Sequence, residues 1–163
     1  MEPGNKVYLE TSFVSYLVAK DSNNIFVLAR QWTSRDWWTD IRVQFKLYVS
    51  DAVIREASRG NVVYANDRIE FLTGLEILAA KEAALGLAEE LVKGKAIPEN
   101  AVEDAAHIAI AAVHKMDYLL TWNFRHINNA LRKKRISDVC NANGFILPQI
   151  CTPEELKEGS NDQ

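Results

Sequence analysis

The chain has 163 residues, 48% of them hydrophobic and 25% charged, which suits one domain with a core of its own. A net charge of −3 and a pI of about 5.6 exclude a protein that coats nucleic acid over its whole surface, but they allow a local basic patch. Two cysteines outside any CxxC pattern, no apolar leader and no long uncharged stretch argue against a disulfide framework and a membrane span, and they predict a cytosolic protein.

Short apolar runs alternate with helical patterns along nearly the whole chain. The strands are predicted at 7–9, 46–49, 75–78, 118–121 and 145–147 with Ile150. The helices are predicted from 11 or 12 onward, then at 25–40, around 52–56, and at 64–73, 81–93, 101–114 and 127–141. Asn100 and Glu103 resemble a capping box at the start of the helix over 101–114.

This alternation predicts an α/β fold, namely an α/β/α sandwich with a mainly parallel central sheet of about five strands. Right-handed crossovers would place helices on both faces of such a sheet. We predict one domain over residues 1–156 and a polar tail over 157–163.

Polar side chains follow several predicted strands or lie in a helix that follows one. They are Glu10, Glu56, Asp104 and Asn123. Ligands bind parallel sheets at the edge where the carboxyl ends of the strands meet. Three carboxylates gathered there would repel one another unless a divalent cation lay among them, and oxygen ligands favour Mg²⁺ or Mn²⁺. Alone, each residue has a simpler interpretation: an acid near a helix N-terminus for Glu10 and Asp104, a surface ion pair for Glu56 and a turn residue for Asn123. The prediction therefore depends on the set.

Histidine and basic residues surround these positions. His107 lies three residues after Asp104 and is predicted to be a buried, hydrogen-bonded histidine. Arg125 and His126 follow Asn123 and could reach a phosphate near the same edge. The basic run consists of Arg132, Lys133, Lys134 and Arg135. Such a run is typical of a solvated helix face, and it is also suited to holding an RNA backbone.

Four segments, taken together, resemble those of PIN-domain ribonucleases, especially the VapC-like toxins of bacterial toxin–antitoxin pairs. They span residues 7–12, 50–56, 103–109 and 118–127. The resemblance extends from about Val7 to Leu156. It implies metal-dependent endonucleolytic cleavage of single-stranded RNA and a small antitoxin partner. It also implies a homodimer, for which the second helix, with Trp32, Trp37 and Trp38 in it or near its end, would be the interface.

The resemblance also implies a role for each site residue. Glu10, Glu56 and Asp104 would hold one or two Mg²⁺ or Mn²⁺ ions, and Asn123 would position the ion or the attacking water. The hydroxyls of Thr11 and Ser12 would orient the carboxylates. This chain has Glu10 where the family usually has Asp, and Asn123 where the family often has Asp.

Two other functions stay open at this point. The chain could be a PIN-like RNA-binding or protein-interaction module, in which Glu10 and Asn123 have weakened catalysis. It could also be a small-molecule phosphate hydrolase on a similar open sheet, although no acid nucleophile or specificity lid is visible. The sequence lacks GxGxxG, Walker A, GxSxG and HExxH patterns, which argues against dinucleotide, P-loop, serine-hydrolase and zinc-protease sites.

Overall fold

A parallel sheet organises the chain. The computed structural model describes residues 4–157, and its five strands are all parallel and lie in the order β3-β2-β1-β4-β5. The strands are β1 (Lys6–Leu9), β2 (Lys46–Ser50), β3 (Glu76–Leu78), β4 (Tyr118–Leu120) and β5 (Gln149–Cys151). The predicted α/β class and five-stranded sheet are therefore confirmed. Residues 158–163 of the predicted tail lie outside the described residues.

Within the described residues, seven α-helices fill the connections between strands. They are α1 (Thr11–Val18), α2 (Ile25–Asp36), α3 (Asp51–Ala57), α4 (Val62–Leu72), α5 (Glu82–Lys93), α6 (Val102–Val113) and α7 (Ala130–Ala142). Helix α1 packs on α2 and α4, whereas α5 packs on α6 and α7. Helix α3 contacts both α1 and α6. No helix in the described part of the chain is long and apolar enough to cross a membrane.

Two predicted boundaries are wrong for identifiable reasons. The second helix was expected to reach Asp40, but it changes at Trp37 into a π-helical turn over Trp37–Ile41, and the buried Trp37 indole donates to the Leu156 carbonyl at 2.8 Å. The last strand was expected to include residues 145–147. It begins only at Gln149, because the preceding Pro148 has no N–H to donate to a neighbouring strand.

The start of α6 also differs from its prediction. Asn100 does not cap the helix: Ala101 precedes the first helical residue, and no side chain caps it. Glu103 accepts a hydrogen bond from Arg59 at 2.8 Å, between two exposed side chains, so it takes no part in a capping box.

The core explains why the central strands are apolar throughout. Val7, Tyr8 and Leu9 of β1 and Leu119 and Leu120 of β4 are fully buried, as expected for parallel strands covered on both faces. Both cysteines, Cys140 and Cys151, are free and buried.

The strand register brings distant residues to one edge of the sheet. Leu9 pairs with Leu120, so the next residues, Glu10 and Thr121, are neighbours where β1 and β4 end. Helix α3 begins at this edge because it follows β2 directly. Helix α6 runs back toward the start of β4, so its first turn, which carries Asp104, lies at the same edge.

Candidate active site

Glu10 directly follows β1 and caps α1 with its own side chain. One carboxylate oxygen, Oε2, accepts from the Ser12 backbone N–H at 2.9 Å. The other, Oε1, accepts from the hydroxyls of Ser12 at 2.6 Å and Thr121 at 2.5 Å. The residue is only 4% exposed. Three donors thus hold a nearly buried carboxylate in one orientation. One of the donating residues, Ser12, is among the two residues that were expected to orient the carboxylates, the other being Thr11.

Glu56 lies on α3 with its carboxylate half buried against α6. One oxygen, Oε1, accepts a short hydrogen bond from Nε2 of the fully buried His107. Burial raises the pKa of Glu56, but the hydrogen bond and charge of His107, helped by Thr11 and Arg59, outweigh burial and leave that pKa below its ordinary value. The predicted buried, hydrogen-bonded histidine is therefore present, and its partner is one of the candidate acids.

The charges of all three candidate acids act on the pKa of His107. Burial lowers the pKa of its imidazole, but the hydrogen bond to Glu56 and the charges of Glu10, Glu56 and Asp104 outweigh burial and raise that pKa. Glu56 therefore contacts the ring directly, and Glu10 and Asp104 raise its pKa through their charge. The other ring nitrogen, Nδ1, is 2.6 Å from the Tyr8 hydroxyl.

Asp104, Asn123 and His126 form a second group of contacts at the same edge. Asp104 Oδ2 lies 2.8 Å from His126 Nδ1. Asn123 Oδ1 accepts from the His126 backbone N–H at 3.0 Å, and the Asn123 N–H donates to the Thr121 hydroxyl at 2.9 Å. Asn123 thus shapes the turn after β4. His126, which the sequence places where it could reach a phosphate, contacts Asp104 through one of its ring nitrogens.

The acids are suited in kind to a hard divalent cation. Among residues 4–157, no group of three or more His, Cys, Asp or Glu side chains is placed to hold one ion by itself. Mg²⁺ does not need such a cage, since it commonly takes one or two carboxylates and completes its shell with waters and substrate phosphates. In the described chain, Glu56 Oε2 and Asp104 Oδ1 make no hydrogen bond to another protein group.

Thr11 provides a further sign of a missing partner. Its hydroxyl is close enough to lower the pKa of Glu56, yet its geometry does not satisfy a hydrogen bond. The Oγ1 atom is therefore buried without a partner among the described residues. Buried hydroxyls are normally paired, and an ion or its hydration water beside Glu56 would supply the missing contact. The donor set and this hydroxyl together fit a divalent metal.

The predicted basic residues separate into two groups. Arg125, Arg132 and Arg135 line one cleft of about 350 Å³ together with Lys95, Ala96, Asn129 and Leu131. Lys133 and Lys134 do not line it, and Lys134 pairs with Asp138 at 3.0 Å. Sequence reasoning missed Lys95, which follows the Gly94 that ends α5 and is isolated from the basic run.

The basic cleft lies beside the acid edge. A second hollow is lined by Asp104 and His126 together with residues 99–103. Arg125, which precedes His126 in the chain, belongs to the basic cleft. Carboxylates and arginines therefore occupy adjoining surfaces, as a site for a phosphate chain would require.

Comparisons with known proteins agree with the fold. The chain has a TM-score of 0.55 and 15% identity to VapBC2 from Rickettsia felis, solved with a DNA fragment from its promoter, over 90% of this chain and 98% of that one. It has a TM-score of 0.58 and 16% identity to Mycobacterium tuberculosis VapC20, a toxin that cleaves the sarcin-ricin loop, over 86% and 96% of the two chains. No family model and no curated protein matches the sequence.

These structural neighbours identify the class of fold to which the chain belongs. It has the PIN-like α/β fold of VapC toxins, so the resemblance predicted from its residues is confirmed at the level of fold. At 15–16% identity the likeness extends to the fold alone.

Proposed function

We propose that this chain is a divalent-metal-dependent endoribonuclease that cleaves single-stranded RNA and serves as the toxin of a toxin–antitoxin pair. The observation that supports it is a set of contacts at the carboxyl edge of the sheet: Thr121 holds Glu10, His107 holds Glu56, and Asp104 lies beside His126. A fold shared with VapC20, itself a toxin that cleaves the sarcin-ricin loop, adds support for an RNA substrate.

In this proposal Glu10, Glu56 and Asp104 supply the oxygens that hold Mg²⁺ or Mn²⁺. When bound, such an ion would lower the pKa of an attacking water and neutralise charge on the attacking and leaving oxygens of the phosphodiester. Ser12 and Thr121 hold the Glu10 carboxylate, and Thr11 lies beside Glu56. None of these roles requires a nucleophilic side chain.

The RNA backbone would follow the adjoining basic cleft. Arg125, Arg132 and Arg135, with Lys95, offer positive charge on a concave surface next to the hollow that Asp104 and His126 line. Arginine donates in a planar fork that matches phosphate oxygens, which makes these residues better candidates for backbone contacts than Lys133 and Lys134.

The proposed partners are a small antitoxin and a second copy of the chain, in the cytosol. The Rickettsia felis neighbour is a VapBC pair on promoter DNA, which supports an antitoxin for this chain. Three large apolar residues of α2 are exposed, namely Ile25 (71%), Phe26 (74%) and Trp32 (54%). Trp37, the residue after α2, is buried. The exposed face of α2 is therefore the candidate dimer interface, and Trp37 takes no part in it.

Replacing Asp104 by asparagine tests the proposed activity. Asp104→Asn keeps the size of the side chain and an oxygen for His126 but removes a charge from the site. We expect loss of Mg²⁺- or Mn²⁺-dependent cleavage of unstructured RNA, with an unchanged circular dichroism spectrum. Asp117→Asn is the matched control, because Asp117 is exposed at the opposite edge of the sheet, where it accepts from the Lys6 backbone N–H at 2.8 Å. Unchanged cleavage by Asp104→Asn would refute the assigned role.

One observation favours a second candidate, a binding module with weakened catalysis. Asn123 carries no charge, and its side-chain oxygen is engaged by the His126 backbone. A site with fewer charges would bind the cation less tightly. Calorimetry with Mn²⁺ separates the two candidates: binding supports the nuclease, and no binding at millimolar Mn²⁺ supports the module.

A further inference from the structure

A buried chain of hydrogen bonds ends on the Glu56 carboxylate. The Val53 backbone N–H donates to Ser50 Oγ at 3.3 Å, and Ser50 Oγ lies 2.7 Å from the Tyr8 hydroxyl. That hydroxyl lies 2.6 Å from His107 Nδ1, and His107 Nε2 contacts Glu56 Oε1. Ser50, Tyr8 and His107 are each fully buried.

With the His107 imidazole neutral, these contacts fit one direction of donation. Ser50 accepts from Val53 and donates to Tyr8, which in turn donates to His107 Nδ1. A neutral imidazole then carries its proton on Nε2 and donates it to Glu56. Each hydroxyl accepts once and donates once, so no side-chain polar group of this network is left unpaired. A fully satisfied buried network of this kind holds its members in one geometry.

The network joins the three elements that carry the candidate acids. Tyr8 lies on β1 two residues before Glu10. His107 lies on α6 three residues after Asp104, and Ser50 caps the α3 helix that carries Glu56. The residues of the network are separated by up to 99 positions in the sequence, so local structure alone does not bring them together.

We propose that Tyr8 and His107 are positioning residues, which hold the Glu56 carboxylate in place beside Glu10 and Asp104 for a divalent cation. This inference rests on the proposed function. Neither residue touches the substrate in this proposal, since both side chains are buried beneath the acids. Groups that orient the ligands of a metal change its affinity by about 10- to 100-fold when they are removed.

Replacing Tyr8 by phenylalanine tests the inference with a small change. Tyr8→Phe keeps the ring and removes the hydroxyl that orients His107. Mn²⁺ titrations by calorimetry should give an affinity about tenfold weaker than that of the wild-type chain. Tyr118→Phe is the matched control, because Tyr118 lies on the adjacent strand β4 and its hydroxyl makes no hydrogen bond within the described residues. Its affinity should stay at the wild-type value.

A double-mutant cycle separates positioning from a general loss of structure. If Tyr8 acts through Glu56, Tyr8→Phe should weaken Mn²⁺ binding in the wild-type chain but not in a Glu56→Gln background. A merely structural role would lower the melting temperature and weaken binding equally in both backgrounds. Should Tyr8→Phe fail to fold, His107→Gln takes its place in the same cycle.

The outcomes distinguish this inference from the proposed function. No Mn²⁺ binding by the wild-type chain would overturn both. Wild-type binding together with unchanged binding by a folded Tyr8→Phe or His107→Gln variant would overturn the positioning role alone. The positioning role would be supported if Tyr8→Phe weakens Mn²⁺ binding in the wild-type chain and has no effect on it in the Glu56→Gln background.

Discussion

Salt dependence of RNA binding provides a quantitative test of the basic cleft. The perturbation is Arg132→Gln with Arg135→Gln, which removes two cations from the cleft wall and keeps much of each side-chain stem. The control is Lys133→Gln with Lys134→Gln, which removes the same charge from the same helix but from residues that do not line the cleft. Net charge is thus equal in the two variants, and only position differs.

The expected size follows from counterion release. Each phosphate contact with a single strand contributes about 0.7 to the slope of log affinity against log salt. If both arginines contact phosphates, the arginine variant should lose about 1.4 from that slope. Between about 50 and 200 mM salt, wild-type affinity should then fall about sevenfold more than that of the variant. The lysine variant should keep a slope close to that of the wild type.

Fluorescence anisotropy of a labelled, unstructured RNA measures these slopes, with a chelator present so that no cleavage occurs. Arg132 also donates to the Ala96 carbonyl at 3.2 Å, so melting temperatures must show that the arginine variant remains folded. Equal slopes for the two variants would refute the assignment of the cleft to the RNA backbone. A larger loss in the lysine variant would move the contact to the other face of α7.

Two further predictions concern stability and assembly. The pKa of Glu56 is lowered in the folded chain, so its contribution to the free energy of unfolding is present above its ordinary pKa of 4.5 and is lost as pH falls. The pKa of His107 is raised, so its contribution to that free energy is present below its ordinary pKa of 6.5 and is lost as pH rises. Urea midpoints of the wild type and His107→Gln should therefore differ most between pH 4.5 and 6.5, and a difference independent of pH would contradict this account. Light scattering should give twice the 18.4 kDa chain mass for the wild type and the single mass for Trp32→Glu, whereas a monomeric wild type would remove α2 as an interface.

The sheet and its acids could be predicted from sequence because their signals are local. Apolar runs such as 7–9 and 118–120 read as strands covered on both faces, and helices between them require parallel pairing. Once the strands are parallel, topology alone brings Glu10 and the first turn of α6 to one edge.

Partners of the side chains could not be predicted, because they depend on how helices dock. His107 and Glu56 are 51 residues apart and meet only because α6 packs on α3. The sequence pattern at Asn100 and Glu103 is typical of a capping box. In the structure, however, Glu103 accepts a hydrogen bond from Arg59, two residues beyond the end of α3. Lys95 lines the basic cleft although it is 30 residues before Arg125 in the sequence, so the basic run alone does not indicate it.

The wide spacing of the contacts around Glu10 bears on how the chain is made. Its carboxylate is held by Thr121, 111 residues later, and β1 gains its β4 neighbour only when residues 118–120 are present. On a ribosome, residues 1–103 would emerge before Asp104, and Thr121 would follow only after another 16 residues. The Glu10 carboxylate therefore gains its full set of donors only late in translation, and a shortened product ending before β4 would keep all three acids but lack the Thr121 hydroxyl that holds Glu10.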